Sequence, residues 1–431
     1  MTYELEKDLA AYDVGTYDAN PIMSAPISPA PAVGTPGRAS TSPAGKSDAM
    51  ELTIQQSDLV FGAGRALAAV PSKSTQPVLN CVLLEADASG LRITGTDLEI
   101  TASVHIPCAV KRQGRAAVSA RHFHEVVRKL TKGEVSLAMS DGQCEVRYGG
   151  GKGWSRFPTQ DPIDFPRIPE FKAEATLTLE GEALSRLLQR TSYAAAVEEM
   201  RQMLQGVLIQ AADGKVTFVA TDGHRLARAA RKGSFGALRS EGVIVPSKAV
   251  TAVSRAAEDA TSPVTLEIAP GKNQASFTTQ VGAQRVTILT RLLEGPYPSY
   301  EQVIPKSTST ELKVPRADLI QAVDIVASHA DNVTRQVRFS LRANRLGVSS
   351  ATELGSGEHT LDAEYSGSDM EIGYNAGYVL DILRSIPTEQ VLFRLNNPLS
   401  AGVVEPVGAL PQVEDELLCL IMPLRLPDAT A

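Results

Sequence analysis

Two arrangements in this chain of 431 residues hold the side chains of acid–base or metal chemistry: His224 two residues after Asp222, and the pair His122 and His124. An imidazole beside a carboxylate can move a proton, and two imidazoles with further N, O or S ligands can hold zinc. Neither arrangement is completed. Side chains at i and i+2 of a helix point to different faces, which separates His122 from His124, and no Asp, Glu, His or Cys set completes a metal shell. The cysteines Cys81, Cys108, Cys144 and Cys419 lie far apart without a CxxC pair, a pattern of reduced thiols rather than of a disulfide framework or zinc site. No Gly-rich phosphate loop, GxSxG or HExxH occurs. The expectation is a protein that is not an enzyme and uses no metal or cofactor.

Positive charge is the other chemistry on offer. The formal net charge is −7, which on its face argues against nucleic acid. Net charge averages over surfaces that meet different partners, so its distribution matters more. Ser119 to Lys132 reads as a helix with Phe123, Val126, Val127 and Leu130 on one side and Arg121, Arg128 and Lys132 on the other. Arg186 and Arg190, Lys248 and Arg255, and Arg384 give other helices the same bias. Basic helices in an acidic protein imply one surface where cations gather, and a phosphate backbone suits such a surface.

The framework behind these residues occurs three times. Leu91-Arg-Ile-Thr-Gly-Thr-Asp97 is matched by Val216-Thr-Phe-Val-Ala-Thr-Asp222 and by Leu346-Gly-Val-Ser-Ser-Ala-Thr352. Similar offsets lay Leu52–Ile54 over Leu177–Leu179 and Leu312–Val314, and Val118–Phe123 over Val245–Val250 and Tyr374–Val379. A period far above the ~20–50 residues of a solenoid means whole domains in tandem. Each copy opens with an alternating strand and an amphipathic helix, such as Leu184, Leu187 and Leu188, or Leu319, Ile320, Val323 and Val326 after Pro315. Period-two strands follow, then a second helix and more strands, so each copy reads as two strand–helix–strands halves and the chain as six helices. Asp97 and Asp222 hold the same place in two copies, the mark of a turn residue rather than a catalytic acid.

Hydrophobic residues make up 43% of the chain, enough for each copy to fill its own core. No apolar run approaches the ~18 residues that cross a bilayer. The expected division is a Pro/Ala/Ser-rich N-terminal extension over 1–49, disordered for want of large apolar residues, then copies over 50–171, 172–305 and 306–431. Met50 is an alternative start of translation.

At Ala220-Thr-Asp-Gly-His-Arg-Leu-Ala227 the chain resembles the signature of the bacterial beta sliding clamps, the processivity subunit of DNA polymerase III. Thr94–Glu99, Gly295–Tyr300 with Val303–Pro305, Tyr365–Ile372 and Ile421–Leu426 match further family motifs in order. The resemblance implies an α+β DNA clamp fold of three tandem similar domains, with two subunits head to tail in a closed ring. Helices line the hole and sheets face outward, so an acidic total charge and a basic channel coexist. It implies a cytoplasmic homodimer that encircles double-stranded DNA without reading sequence. Its further partners are the alpha-type subunit of the replicative polymerase, the clamp loader and other proteins with a clamp-binding motif. For the contact between subunits the expected segments are Trp154–Phe157 and Ile325–Ala330.

The resemblance also implies a groove for partner peptides, made of Leu204, Thr221, Gly223, His224, Arg225, Leu226, Pro298, Val303, Leu399, Met422, Pro423, Leu424 and Leu426. Leu, Val, Pro and Met give an adaptable apolar cleft, and a few polar groups orient the ligand. Among these, His224 and Arg225 are expected on the rim. Met203 stands where the family often has tyrosine and Gln302 where arginine can occur, and Pro427–Ala431 extends beyond the usual end near the groove mouth. The implied DNA contacts are Lys73, in the loop before Pro77, and Arg121, Arg201 and Arg255 on or beside inner helices. An alternative is a clamp paralogue that binds partner peptides or resists a clamp inhibitor without being the main replicative clamp.

Overall fold

Six α-helices occur among the described residues: α1 Gln56–Leu67, α2 Ala120–Lys129, α3 Gly181–Gln189, α4 Ser247–Glu258, α5 Arg316–Ala327 and α6 Ala376–Ser385. The computed structural model describes residues 50–426 apart from positions 169, 171, 239, 240, 272 and 354. The expectations for residues 1–49 and 427–431 therefore lie outside the described residues. Among the described residues no helix is long and apolar enough to cross a membrane.

Five of the six helices follow their strand directly, and α3 follows after the single residue Glu180. At Pro246 and Pro315 the ring fixes φ near its helical value, and the missing N–H falls where a helix start leaves N–H groups unpaired anyway. Asn375 starts α6 by accepting from the Tyr378 amide. The helices pack in pairs, α1 with α2, α3 with α4 and α5 with α6. Their apolar stripes are buried against sheet: Leu59 and Ala63 of α1, Phe123 and Val127 of α2, Leu184 and Leu187 of α3, Leu319 and Val323 of α5. Phe123 meets Phe157 edge to face at 5.1 Å, a contact whose loss to Ala costs ~3–5 kcal/mol.

One expected helix boundary shifts. Leu130 is already extended, so α2 stops at Lys129 and Lys132 is not on the helix. The Gln56 side chain takes the Val127 carbonyl at 2.8 Å, and the Gln56 amide takes the Gly133 carbonyl at 2.8 Å. The chain must leave the helix there to place Glu134–Ser140 against Glu51–Gln55.

The two halves of each copy exchange their opening strands. In the first copy Glu51–Gln55 pairs with Glu134–Ser140 of the second half, while Gly114–Ser119 pairs with Cys81–Asp87 of the first. The second copy repeats this with Ala175–Leu179 on Val264–Ile268 and Val243–Pro246 on Gly206–Ala212. The third does so with Thr310–Pro315 on Gln390–Leu395 and Met370–Asn375 on Gln336–Arg342. Sheets then run on from copy to copy. Ile100–Ile106 pairs with Gln284–Arg291, and Arg225–Lys232 pairs with Asp415–Ile421, giving sheets of 14 and nine strands. The equivalent strands at the remaining two ends are Gly355–Asp362 and Gly153–Gln160. Among the described residues Gly355–Asp362 pairs only with Arg345–Thr352, on one side, and Gly153–Gln160 pairs with Gln143–Tyr148 and touches the next strand at Ala117 and Val118.

Candidate functional site

The signature motif folds as a side-chain-locked turn between two strands. Asp222 Oδ1 accepts from the amides of His224 and Arg225 at 2.9 and 3.0 Å. Thr221 Oγ1 donates to the Arg225 carbonyl at 2.7 Å and accepts from the Gly223 amide at 3.1 Å. The first copy builds the same turn: Asp97 Oδ1 accepts from Glu99 and Ile100, and Thr96 Oγ1 donates to the Ile100 carbonyl. Gly223 has φ +90°, and a Cβ there would stand 2.9 Å from the Arg201 guanidinium. Its counterpart Leu98 holds φ 79° with a side chain 54% exposed. Asp222 is therefore a turn residue, with its oxygens committed to backbone and to Arg225.

This turn anchors the segment after Asp415–Ile421. The Met422 amide donates to the His224 carbonyl and the Leu424 amide to the Gly373 carbonyl, both at 2.8 Å. Residues 422–424 thus bridge the second copy to the third. Beside them a separate apolar cluster joins Leu208, Val219, Leu226, Ile244, Tyr300 and Leu420, with Met203, Tyr297, Ile304 and Ala401 packed against it. Segments near residues 203–226, 297–304 and 401–420 meet here, and most of the implied groove residues lie within or beside them.

Within that assembly the residues differ in access. Leu204 and Leu226 are buried beneath the surface, whereas Pro298, Val303, Leu399, Met422, Gly223 and His224 are exposed. Val303, Leu399 and Met422 are 55%, 65% and 39% exposed, large apolar side chains left to solvent. Thr221, Pro423, Leu424 and Leu426 are half-buried. His224 stacks on Tyr378, ring centroids 6.3 Å apart.

Arg225 is not a rim group. Its guanidinium donates to Asp381 Oδ2 at 2.6 Å, to Asp222 Oδ2 at 3.1 Å and to the Tyr193 carbonyl at 2.6 Å. It also lies 4.5 Å over the Tyr378 ring, with its side chain 11% exposed. It ties the second copy to α6 of the third and shapes the wall of the site. Burial, with the Cys419 thiol beside it, pushes the Tyr193 hydroxyl well above its ordinary range against the opposing charge of Arg225, so this support stays neutral near pH 7.

The implied DNA contacts divide. Lys73 is exposed, and Arg121 reaches its loop by donating to the Pro71 carbonyl at 3.3 Å. Arg255 is exposed on α4. Arg201 instead sits in a kinked 3₁₀ segment against Gly223, on no α-helix. Three other cations of the helical bias, Arg186, Arg190 and Lys248, are also committed elsewhere. Arg186 and Arg190, with Arg231, surround the fully buried Asp415 carboxylate at 2.9, 3.0 and 2.8 Å. Lys248 pairs with Asp97 and Arg65 with Asp259, both between the first and second copies. Sequence reasoning missed Arg65 and Asp415, although the repeat puts Arg65, Arg190 and Ile325 at one helix position. Among the described residues no His/Cys/Asp/Glu group could hold a metal ion, and all four cysteines are unpaired.

Three family models match in order: the DNA polymerase III beta subunit N-terminal domain over residues 50–169, the central domain over 178–299 and the C-terminal domain over 301–425. The beta sliding clamp of Synechocystis is 32% identical over 398 residues, covering 88% of this chain and all of the relative. That of Caulobacter vibrioides is 30% identical over 384 residues, with the same coverage. Among solved structures, the Bartonella birtlesii sliding clamp bound to griselimycin superposes with a TM-score of 0.81 at 27% identity, covering 88% of this chain and all of that one. Three matched domains in order, on a sheet-and-helix framework repeated three times, make the chain a member of the DNA polymerase III beta subunit family, the bacterial beta sliding clamps.

Proposed function

We propose that two copies of this chain close head to tail into a ring around duplex DNA and carry polymerase and other replication proteins on the groove near Met422. The observation that carries this is the pair of under-used strand edges. Gly355–Asp362 and Gly153–Gln160 hold the positions whose equivalents are already paired at both internal junctions. A second copy offers each edge the complement it lacks, and heterologous contacts of this kind close when the rotation permits. Trp154 lies on one edge, and Ile325 on the helix packed against the other, 57% and 49% exposed. Ile325 occupies the helix position from which Arg65 and Arg190 reach across the internal junctions, so an apolar contact replaces an ionic one at the ring closure.

In this reading the copies run over about 50–171, 172–305 and 306–431, and Lys73, Arg121 and Arg255 approach backbone phosphate. Such contacts carry no sequence information and permit sliding. Arg201 is assigned to the groove side. Binding through apolar anchors at Val303, Leu399 and Met422 makes the protein a non-catalytic, cytoplasmic tether for the alpha-type polymerase subunit, the clamp loader and other proteins with a clamp-binding motif.

The experiment is retention on closed circular against linear duplex, for wild type and for a variant with Lys73, Arg121 and Arg255 changed to Ala. The ring should stay on circular DNA and slide off linear ends. The triple variant should flatten the salt slope by about one unit per lost phosphate contact. Equal retention on both DNA forms, or a stable monomer for the wild type in sedimentation, overturns the proposal.

A further inference from the structure

The sheet face turned away from the helices changes character along its strands. Side chains alternate between faces residue by residue, and on this face Leu208, Val219, Leu226 and Leu420 form the apolar bed of the groove cluster. Two residues beyond Leu226, about 7 Å along the same strand, stands Arg228, opposite Val219 on one side and Leu418 on the other. Lys215 and Lys232 face each other further on. A cavity of about 580 Å³ opens there, and Gln210, Lys215, Arg228, Lys232, Tyr300 and Glu301 line it.

Its three cations differ in what they are bound to. Lys215 and Lys232 both reach Glu416, at 3.3 and 3.5 Å. Half-buried Arg228 makes no hydrogen bond or ion pair with the described residues, and its Nε is shielded from solvent without an acceptor. Glu301 and Asp213 lie at the same cavity, but neither bonds to Arg228. The Tyr300 hydroxyl donates to Gln210 Oε1 at 3.2 Å. A guanidinium nitrogen removed from water without an acceptor is an unmet demand for a hydrogen bond, and an anion meets it best.

We propose that this cavity is a carboxylate subsite of the partner groove: a Glu or Asp side chain in the stretch of partner chain flanking the groove-bound peptide pairs with Arg228. The inference rests on the groove reading above. Tyr300 supplies the continuity, since it belongs to the groove cluster and also lines the cavity. A chain leaving the apolar bed along this face arrives within side-chain reach of Arg228. The planar guanidinium fork matches a carboxylate, and Lys215 and Lys232, held by Glu416, do not compete for the same geometry.

The test is a titration of wild type, Arg228→Met and Arg228→Lys with three labelled peptides: a clamp-binding core, the core with a Glu placed at successive flanking positions, and the same set with Gln. One Glu register should bind wild type about tenfold tighter than its Gln counterpart. That advantage should vanish in Arg228→Met, survive in part in Arg228→Lys and shrink with added salt, while core affinity stays level across the three proteins. Equal binding of every Glu and Gln pair to wild type, with the core still bound, overturns the carboxylate subsite and leaves the groove standing. Loss of core binding to wild type overturns the groove reading itself. A Glu advantage that persists in Arg228→Met assigns the contact to another cation and also overturns the proposal.

Discussion

The two internal junctions of this chain use one backbone solution and two different sets of side chains. Both join strands antiparallel across a copy boundary, Ile100–Ile106 with Gln284–Arg291 and Arg225–Lys232 with Asp415–Ile421. At the first junction the supporting ion pairs are half in water: Asp259 is 49% exposed beside Arg65, and Lys248 48% exposed beside Asp97. At the second, the Asp415 side chain is 0% exposed and three arginines converge on it, while Arg225 adds a further link to Asp381. Exposed pairs add little to stability, whereas a buried carboxylate among arginines cannot lose a partner cheaply. The junction that carries the proposed groove is thus the one whose side chains tolerate the least change.

Removing the buried charge should separate the junctions most. Asp415→Ala leaves Arg190 enclosed without its counter-ion and should cost ~3–5 kcal/mol in denaturant unfolding. Burial alone would raise the Asp415 pKa, but hydrogen bonds from Arg186 and Arg231 and the charges of Arg186 and Arg190 hold it below the usual range. With the folded value depressed, its stabilisation is fully present above about pH 4 and fades as pH falls through the folded value. The deficit of Asp415→Ala should therefore be constant near neutrality and narrow only in acid. A deficit that instead grew in acid would contradict this assignment.

Truncation after Met422 probes the same junction from the surface. It removes the Leu424 contact to Gly373 and the exposed wall beyond, so a clamp-binding peptide should lose ~2 kcal/mol or more, with dimer sedimentation unchanged. Unaltered affinity would place the partner site elsewhere. Arg225→Ala should follow at about 1.5–2 kcal/mol of stability, because its donors serve charged acceptors, and peptide affinity should fall with the wall it supports. His224→Ala should weaken the peptide less. Smallest of all, Lys248→Ala at the first junction should shift stability by under about 1 kcal/mol and the shift should disappear in high salt. Thermal melting at two ionic strengths reads this directly, and a large, salt-independent loss would erase the contrast between the junctions.

Much of this architecture was legible because the pattern occurs three times. The offset that lays Leu91–Asp97 over Val216–Asp222 also aligned the opening strands and helix starts, and the turns at Asp97 and Asp222 are built from the same bonds. The charge pattern was less legible. Arg186 and Arg190 read as cations on a helical polar face because their acceptor, Asp415, lies more than two hundred residues downstream in what looks like a solvated acidic run, Glu414-Asp-Glu416. Only strand pairing buries that carboxylate. Lys132 was read onto α2 because helical periodicity carries no signal for a side chain such as Gln56 taking a carbonyl from the preceding turn. For the groove, a family motif indicated the segments, but the commitment of Arg225 to Asp381 depends on a helix from another copy.

The exchanged opening strands limit how such a chain can be altered by inheritance. Each half of a copy leaves a place in its sheet for a strand encoded in the other half. A duplication or deletion of one half would strand one sheet with a gap and another with a surplus member. The smallest segment that can be gained, lost or recombined with its hydrogen bonds intact is therefore a whole copy. Changes in the number of copies should come in whole domains, and crossovers that preserve folding should cluster between the matched domains, in residues 169–178 and 299–301, rather than at the similar-looking boundaries inside them.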